Sequence, residues 1–184
     1  MHEFQLFDIT TAPAESRADL EKIRSQQGHL HNIYAVMAGS PLLLRGHVAL
    51  NELFDNSELT KEERNIVLLT ASRENNAAYS VARQSEAAER DHVPADVIEA
   101  LRANRALKNK KEEALRAFTA RVVNSRGQIS ERDVKDFLAA GYTPGNILEI
   151  VLAIGMVTLT NYTNLITKTP LDKQLESKQW QKTG

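Results

Sequence analysis

The chain has 184 residues, enough for one ordinary domain and too few for two cores of typical size. Apolar residues make up 42 % and charged residues 26 %, which excludes wholesale disorder; 23 basic against 24 acidic residues leave a formal charge of −1, with no basic field to hold a phosphate backbone, so nucleic acid is not an expected partner. Cysteine is absent, which removes disulfides, thiolate metal sites and every cysteine-based redox or nucleophilic mechanism.

The N-terminus, from Met1 to Asp8, carries Glu3 where a signal peptide needs basic residues, and no long apolar run follows. After an irregular start, Pro13 precedes a charged amphipathic helix, 14–27, stopped by Gly28. A short apolar segment, 30–38, ends at Gly39-Ser40-Pro41, and Pro41 suits the first turn of the next helix, 42–54. Thr60-Lys61-Glu62-Glu63 has the pattern of a capping box opening a helix with Ile66, Val67, Leu68 and Leu69 as its apolar residues. Asn75-Asn76 ends or bends that helix, and an alanine-rich helix, 77–90, follows. Pro94 starts a short helix, 95–104. The polar, basic stretch 104–111, with its Lys108-Asn109-Lys110-Lys111 run, reads as a surface connection before a helix over 112–123. Arg126-Gly127 reads as a turn, and Ser130 caps a helix over 134–140 that stops at Gly141. Thr143-Pro144 then opens the longest helix, to about Ile166.

No strand-like alternation is evident, so the expected architecture is an all-α domain of eight or so helices. The last long helix is apolar nearly all round over 147–159. That apolar stretch is shorter than the roughly 20 residues a bilayer needs, and it contains Glu149, so the chain is expected to be soluble and cytoplasmic, with no membrane partner. A helix apolar on every face needs more cover than one small layer supplies, and homo-oligomerisation is the simplest source of it.

Thr60-Lys61-Glu62-Glu63-Arg64-Asn65-Ile66-Val67, followed by 76–84 (Asn76-Ala77-Ala78-Tyr79-Ser80-Val81-Ala82-Arg83-Gln84), resembles the core of the AhpD-like, or carboxymuconolactone decarboxylase, superfamily. Ala140-Gly141-Tyr142-Thr143, 146–151 and Asn161-Tyr162-Thr163-Asn164 are similar to its C-terminal half, and Gly39-Ser40-Pro41 and Thr169-Pro170-Leu171-Asp172 add to the likeness. The resemblance covers about residues 20–172, leaving 1–19 as an N-terminal extension and 173–184 as a polar tail with a lone Trp180. It implies a single-domain AhpD-like helical bundle that oligomerises. The family's redox members use E-x11-C-x2-C-x3-H: two thiols one turn apart close a disulfide while a histidine and a glutamate move the proton. Laid on this chain, the motif places Asn65 at the glutamate, Ala77 and Ser80 at the cysteines and Gln84 at the histidine. None of the four can perform its role, so the resemblance carries over the fold and the pocket but not thiol peroxidase activity.

Asn65, Ser80 and Gln84 keep hydrogen-bonding capacity at nearly the original sizes. They are compatible with a retained pocket for a small molecule, and equally with polar groups that satisfy one another. Tyr79, Arg83, Glu74 and Asn161 are further candidates for ligand binding. Arg83 could clamp a substrate carboxylate, or form an ordinary ion pair with Glu86 or Glu74. Asn161 and Asn164, one turn apart, could close the pocket or link helices. The decarboxylase branch implies that a proton-transfer reaction without thiols is open to such a fold, with Glu74, His29, His31 or His47 as the only groups nearby to titrate. His29, His31 and His47 accompany no recognised metal-ligand spacing, so neither a metal nor another cofactor is expected. Two functions stand: a non-redox small-molecule site, or a non-catalytic helical homo-oligomer serving as a binding or scaffold protein.

Overall fold

The computed structural model describes residues 4–182, which form nine α-helices and one 3-10 helix, with no strand among them. In chain order these are α1 (Ala14–Gln27), α2 (Asn32–Met37), α3 (Pro41–Asp55), α4 (Lys61–Glu74), α5 (Ala78–Arg90), α6 (Ala95–Arg102), α7 (Lys110–Ser125), α8 (Glu131–Ala139) and α9 (Pro144–Thr167), followed by the 3-10 helix Lys173–Lys178.

Local chemistry sets most of the boundaries. Gly28 stops α1 in the left-handed region (φ +79°), and its amide returns to the Arg24 carbonyl. The capping box at α4 forms as its residues predict: the Thr60 hydroxyl accepts from the Glu63 amide, and the Glu63 carboxylate accepts from the Thr60 amide. Ser130 with Asp133, and Thr143 with Asn146, close equivalent boxes at α8 and α9. Three starts differ from expectation: helix α8 begins at Glu131, directly after its Ser130 cap, rather than at Val134. Helix α2 begins at Asn32 rather than at Leu30, because its first amide is held by the side chain of Asp172, far along the chain. Helix α7 begins inside the basic run, since the Asn109 side chain accepts from the amides of Lys111 and Glu112.

Helix α4 is the central element, buried on most of its length and packed against α5, α6, α7 and α9. Ile66, Leu69, Val81, Leu115, Phe118, Phe137, Ile150 and Met156 belong to the main core. Within it the rings of Phe118, Phe137 and Tyr142 stack at centroid spacings of 4.3 and 4.5 Å. A second cluster joins Leu20, Ile33, Met37, Leu44, Tyr79 and Leu175 under α1–α3.

The C-terminal segment is more than a polar tail. Leu175 is fully buried, Trp180 is 7 % exposed, and the Trp180 indole donates to the Arg102 carbonyl at 3.0 Å. Position 19/20, set at the edge of the family resemblance, falls inside α1. Helix α9 is 24 residues long, and by length and composition alone could cross a membrane; here it is a core helix, seated on α2, α3, α4 and α5. Its outer side keeps Leu148, Val151, Tyr162 and Ile166 exposed, Ile166 by 68 %.

Candidate functional site

Helices α4 and α5 run back on each other through the turn at Asn75-Asn76, where Asn76 takes a positive φ of 53°. This places Asn65 on α4 and Arg83 and Gln84 on α5 along one cavity of about 320 Å³, completed by α1 and α3. His47 from α3 and Tyr34 from α2 also line it. Arg83 is only 8 % exposed. Its guanidinium sits 5.7 Å from the centre of the Tyr34 ring. Among the described residues it has no ion pair: Glu74 binds Arg73 at 2.8 Å, and Glu86 lies 3.1 Å from His31 instead. The ordinary pairing of Arg83 with either acid therefore does not form. The side-chain amide of Gln84 likewise makes no hydrogen bond to a described residue.

His47 is buried beside this cation. Desolvation first, and then repulsion from Arg83, lower its pKa from the ordinary 6.5 to about 3. It is a neutral imidazole at any physiological pH, with an unpartnered Nδ1. Asn65 is already engaged, donating to the Lys61 carbonyl at 2.9 Å and to the Asp91 carboxylate at 2.8 Å. Asp91, which no sequence signal singled out, thus occupies the hydrogen-bonding capacity of the position where the family motif has its glutamate.

The remaining sequence candidates lie elsewhere. Ala77 caps α5 and Ser80 lies one turn in; both are buried and neither lines the cavity. The Ser80 hydroxyl accepts from Asn164 at 3.1 Å, and the Ser72 hydroxyl donates to Asn161 at 3.4 Å. Asn161 and Asn164 thus link α9 to α4 and α5. Glu74 accepts from Asn124 of α7 at 2.9 Å, away from the cavity.

Tyr79 belongs to a separate buried network. Its hydroxyl donates to Asp172 Oδ2 at 2.5 Å and accepts from the Ile33 amide at 3.1 Å. Burial, then the bond to Asp172, push its own ionisation far up, so it stays a neutral donor. Asp172 also accepts from the Asn32 amide at 2.9 Å, and His31 Nδ1 lies 3.6 Å from it. Burial opposes ionisation of Asp172, but the neighbouring His31 ring, 3.6 Å away, and the hydrogen bonds from Tyr79 and the Asn32 amide outweigh it and hold the carboxyl below the usual range. Nothing local marks Asp172 for this role. Its partners come from positions about 90 and 140 residues away.

No family model matches the sequence, and no curated protein matches it significantly. Solved structures do match. A peroxidase-related protein with an AhpD core from Ralstonia eutropha JMP134 superposes with a TM-score of 0.83 at 17 % identity, over 95 % of this chain and 96 % of that one. A peroxidase-related protein from Silicibacter sp. TM1040 gives 0.80 at 19 % identity, over 94 % of each chain. The debrominase Bmp8, as a cysteine-to-alanine variant in complex with 2,3,4-tribromopyrrole, gives 0.81 at 18 % identity, over 95 % of this chain and 94 % of that one. Near-complete coverage in both directions, with helices throughout and no cysteine in the sequence, shows that this chain has the AhpD-like all-α fold and lacks the paired cysteines of the redox motif.

Proposed function

We propose that the chain takes a small carboxylate-bearing molecule into the cavity between α1, α3, α4 and α5, and holds or converts it without thiol chemistry. The observation that carries this reading is Arg83, a buried guanidinium that lines the cavity without an ion pair among the described residues, while the acids that share the cavity, Glu52, Asp55 and Asp91, engage Lys22, Asn51 and Asn65 instead. A planar fork of this kind binds a carboxylate in bidentate fashion, and a buried cation without a partner is costly until one arrives. Gln84 offers a free amide beside it. The bound carboxylate would also relieve the repulsion from Arg83, the lesser of the two effects that hold His47 down after burial itself, and so raise the basicity of a proton acceptor already in the cavity. A non-redox proton transfer or a decarboxylase-like step is the chemistry that such a set supports. The debrominase neighbour gives the fold a precedent for a small-molecule ligand other than a peroxide.

The test is calorimetric titration with small mono- and dicarboxylates and acidic lactones, using wild type, Arg83→Met and Arg83→Lys. A charge-assisted hydrogen bond contributes about 1.5–3 kcal/mol, so Arg83→Met should weaken binding by roughly 10- to 150-fold. Equal binding by Arg83→Met removes the assignment. In parallel, the wild type should leave hydroperoxide untouched in the presence of dithiothreitol or dihydrolipoamide, because Ser80 and Ala77 cannot cycle through a disulfide. Consumption of peroxide by the wild type would mean a thiol-free mechanism and a different site.

A second reading rests on the exposed apolar row Leu148, Val151, Tyr162 and Ile166 along α9. We infer that a second copy of the chain covers it, and that the assembly serves as a binding or scaffold protein. Light scattering at micromolar concentration should give a multimer for wild type and a smaller species for Val151→Glu/Ile166→Glu; a monomeric wild type refutes it.

A further inference from the structure

We propose that His29, His31 and Glu86 form a binding site for a first-row divalent transition metal of the zinc or ferrous class. The three lie outside the Arg83 cavity, between the α1–α2 loop and α5. Gly28 turns the chain sharply at the end of α1. Beyond it, the two histidine rings meet edge to face at a centroid distance of 4.1 Å. Glu86 reaches them from α5, and one ligand atom from each residue falls within 4.8 Å of the others.

The electrostatics of the cluster call for a cation. His31 is completely buried, and neither of its nitrogens makes a hydrogen bond of good geometry; His29 Nε2 is also buried and unpartnered. Asp172, fixed by the Asn32 amide and the Tyr79 hydroxyl, faces His31 Nδ1. A carboxylate there favours the tautomer with the proton on Nδ1, which turns the Nε2 lone pair towards Glu86. The His31 Nε2 lone pair, the unpartnered His29 Nε2 and the Glu86 carboxylate then converge. Neither Glu86 nor Asp172 has a lysine or arginine partner among the described residues.

One ligand pair stands at coordination spacing, and the third ligand atom lies within 4.8 Å of both. His31 Nε2 and Glu86 Oε2 are 3.1 Å apart. Bonds of about 2.0–2.1 Å around a tetrahedral ion separate neighbouring ligand atoms by about 3.3 Å, and around an octahedral ion by about 2.9 Å. Two histidines and one carboxylate leave at least one position for water or a ligand, and the half-buried His29 and Glu86 put that position on the solvent side. Asp172 acts as a positioning residue behind His31, not as a ligand.

The site is tested on the full chain, stripped with a chelator and titrated with Co²⁺ while the visible d–d absorption is read, then challenged with Zn²⁺. Wild type should take one Co²⁺ per chain, displaced by Zn²⁺, and Zn²⁺ should raise its Tm. His29→Ala and Glu86→Gln should weaken binding by more than the roughly 10- to 100-fold that follows loss of an outer partner, and Asp172→Asn by about that amount. His92→Ala, past the end of α5 and outside the cluster, should bind as wild type does. Glu86→Gln is nearly isosteric, so it decides the matter even if His29→Ala fails to fold. Absence of Co²⁺ binding by wild type, or unchanged affinity in Glu86→Gln, overturns the proposal.

Discussion

Acidification should destabilise this protein through His47 over a defined window. In the unfolded chain His47 titrates near 6.5; in the fold, desolvation and then Arg83 lower it to about 3. Below pH 6.5 the unfolded state therefore binds a proton that the folded state refuses. Stability contributed by neutral His47 is complete above pH 6.5 and is lost as the pH falls towards 3. Each unit of separation is worth 1.36 kcal/mol, so the loss attributable to this residue is about 2 kcal/mol between pH 7 and pH 5, and roughly 5 kcal/mol once pH 3 is passed. Other groups titrate in the same range, Asp172 and Glu63 among them, so the difference between wild type and His47→Gln isolates the effect. Urea denaturation of both proteins at pH 7, 6 and 5 measures it. The wild type should lose about 2 kcal/mol more than His47→Gln between the ends of that series. Parallel pH profiles would show that the imidazole is not excluded from water as the structure places it.

Arg83→Met should raise Tm, since it removes a buried cation without a partner, and should raise the pKa of His47 as measured by NMR titration; a fall in both refutes the description of the cavity. Trp180→Ala should cost about 3 kcal/mol in urea denaturation, because a buried indole and its bond to Arg102 are lost; a cost under 1 kcal/mol would mean that the C-terminal segment is only loosely seated. Thr60→Ala should cost about 1 kcal/mol by the same assay, through loss of the α4 capping box, and an unchanged midpoint would refute that role.

The features legible in the sequence are those encoded over a few residues. The box at Thr60, the helix start at Thr143-Pro144, the stop at Gly28 and the break at Asn75-Asn76 are local hydrogen-bond and dihedral problems, and the fold solves them where the residues stand. Asn109 was the exception: a lysine run reads as a surface connection, yet one asparagine side chain is enough to start α7 inside it. The site was less legible because its pairings span the fold. Helical spacing allows Arg83 to meet Glu86, but nothing local states that Glu86 turns to His31 while Arg83 faces Tyr34. Asp91 beside Asn65, and Trp180 against Arg102, are likewise contacts between residues many positions apart.

The reach of Asp172 has a consequence for the order in which the molecule can be made. A ribosome delivers α2 long before it delivers the side chain that holds the first amide of that helix, 140 residues later. A six-residue helix is too short to persist alone in water, so α2 waits, and the neighbourhood of His31 waits with it. The helices from α4 to α9 can assemble in sequence around α4, whereas α2, which precedes them, is fixed only after Asp172 has followed them. Synthesis arrested between α9 and Asp172 would leave a nascent chain with a formed centre and an open front edge, susceptible there to proteases and to chaperone binding.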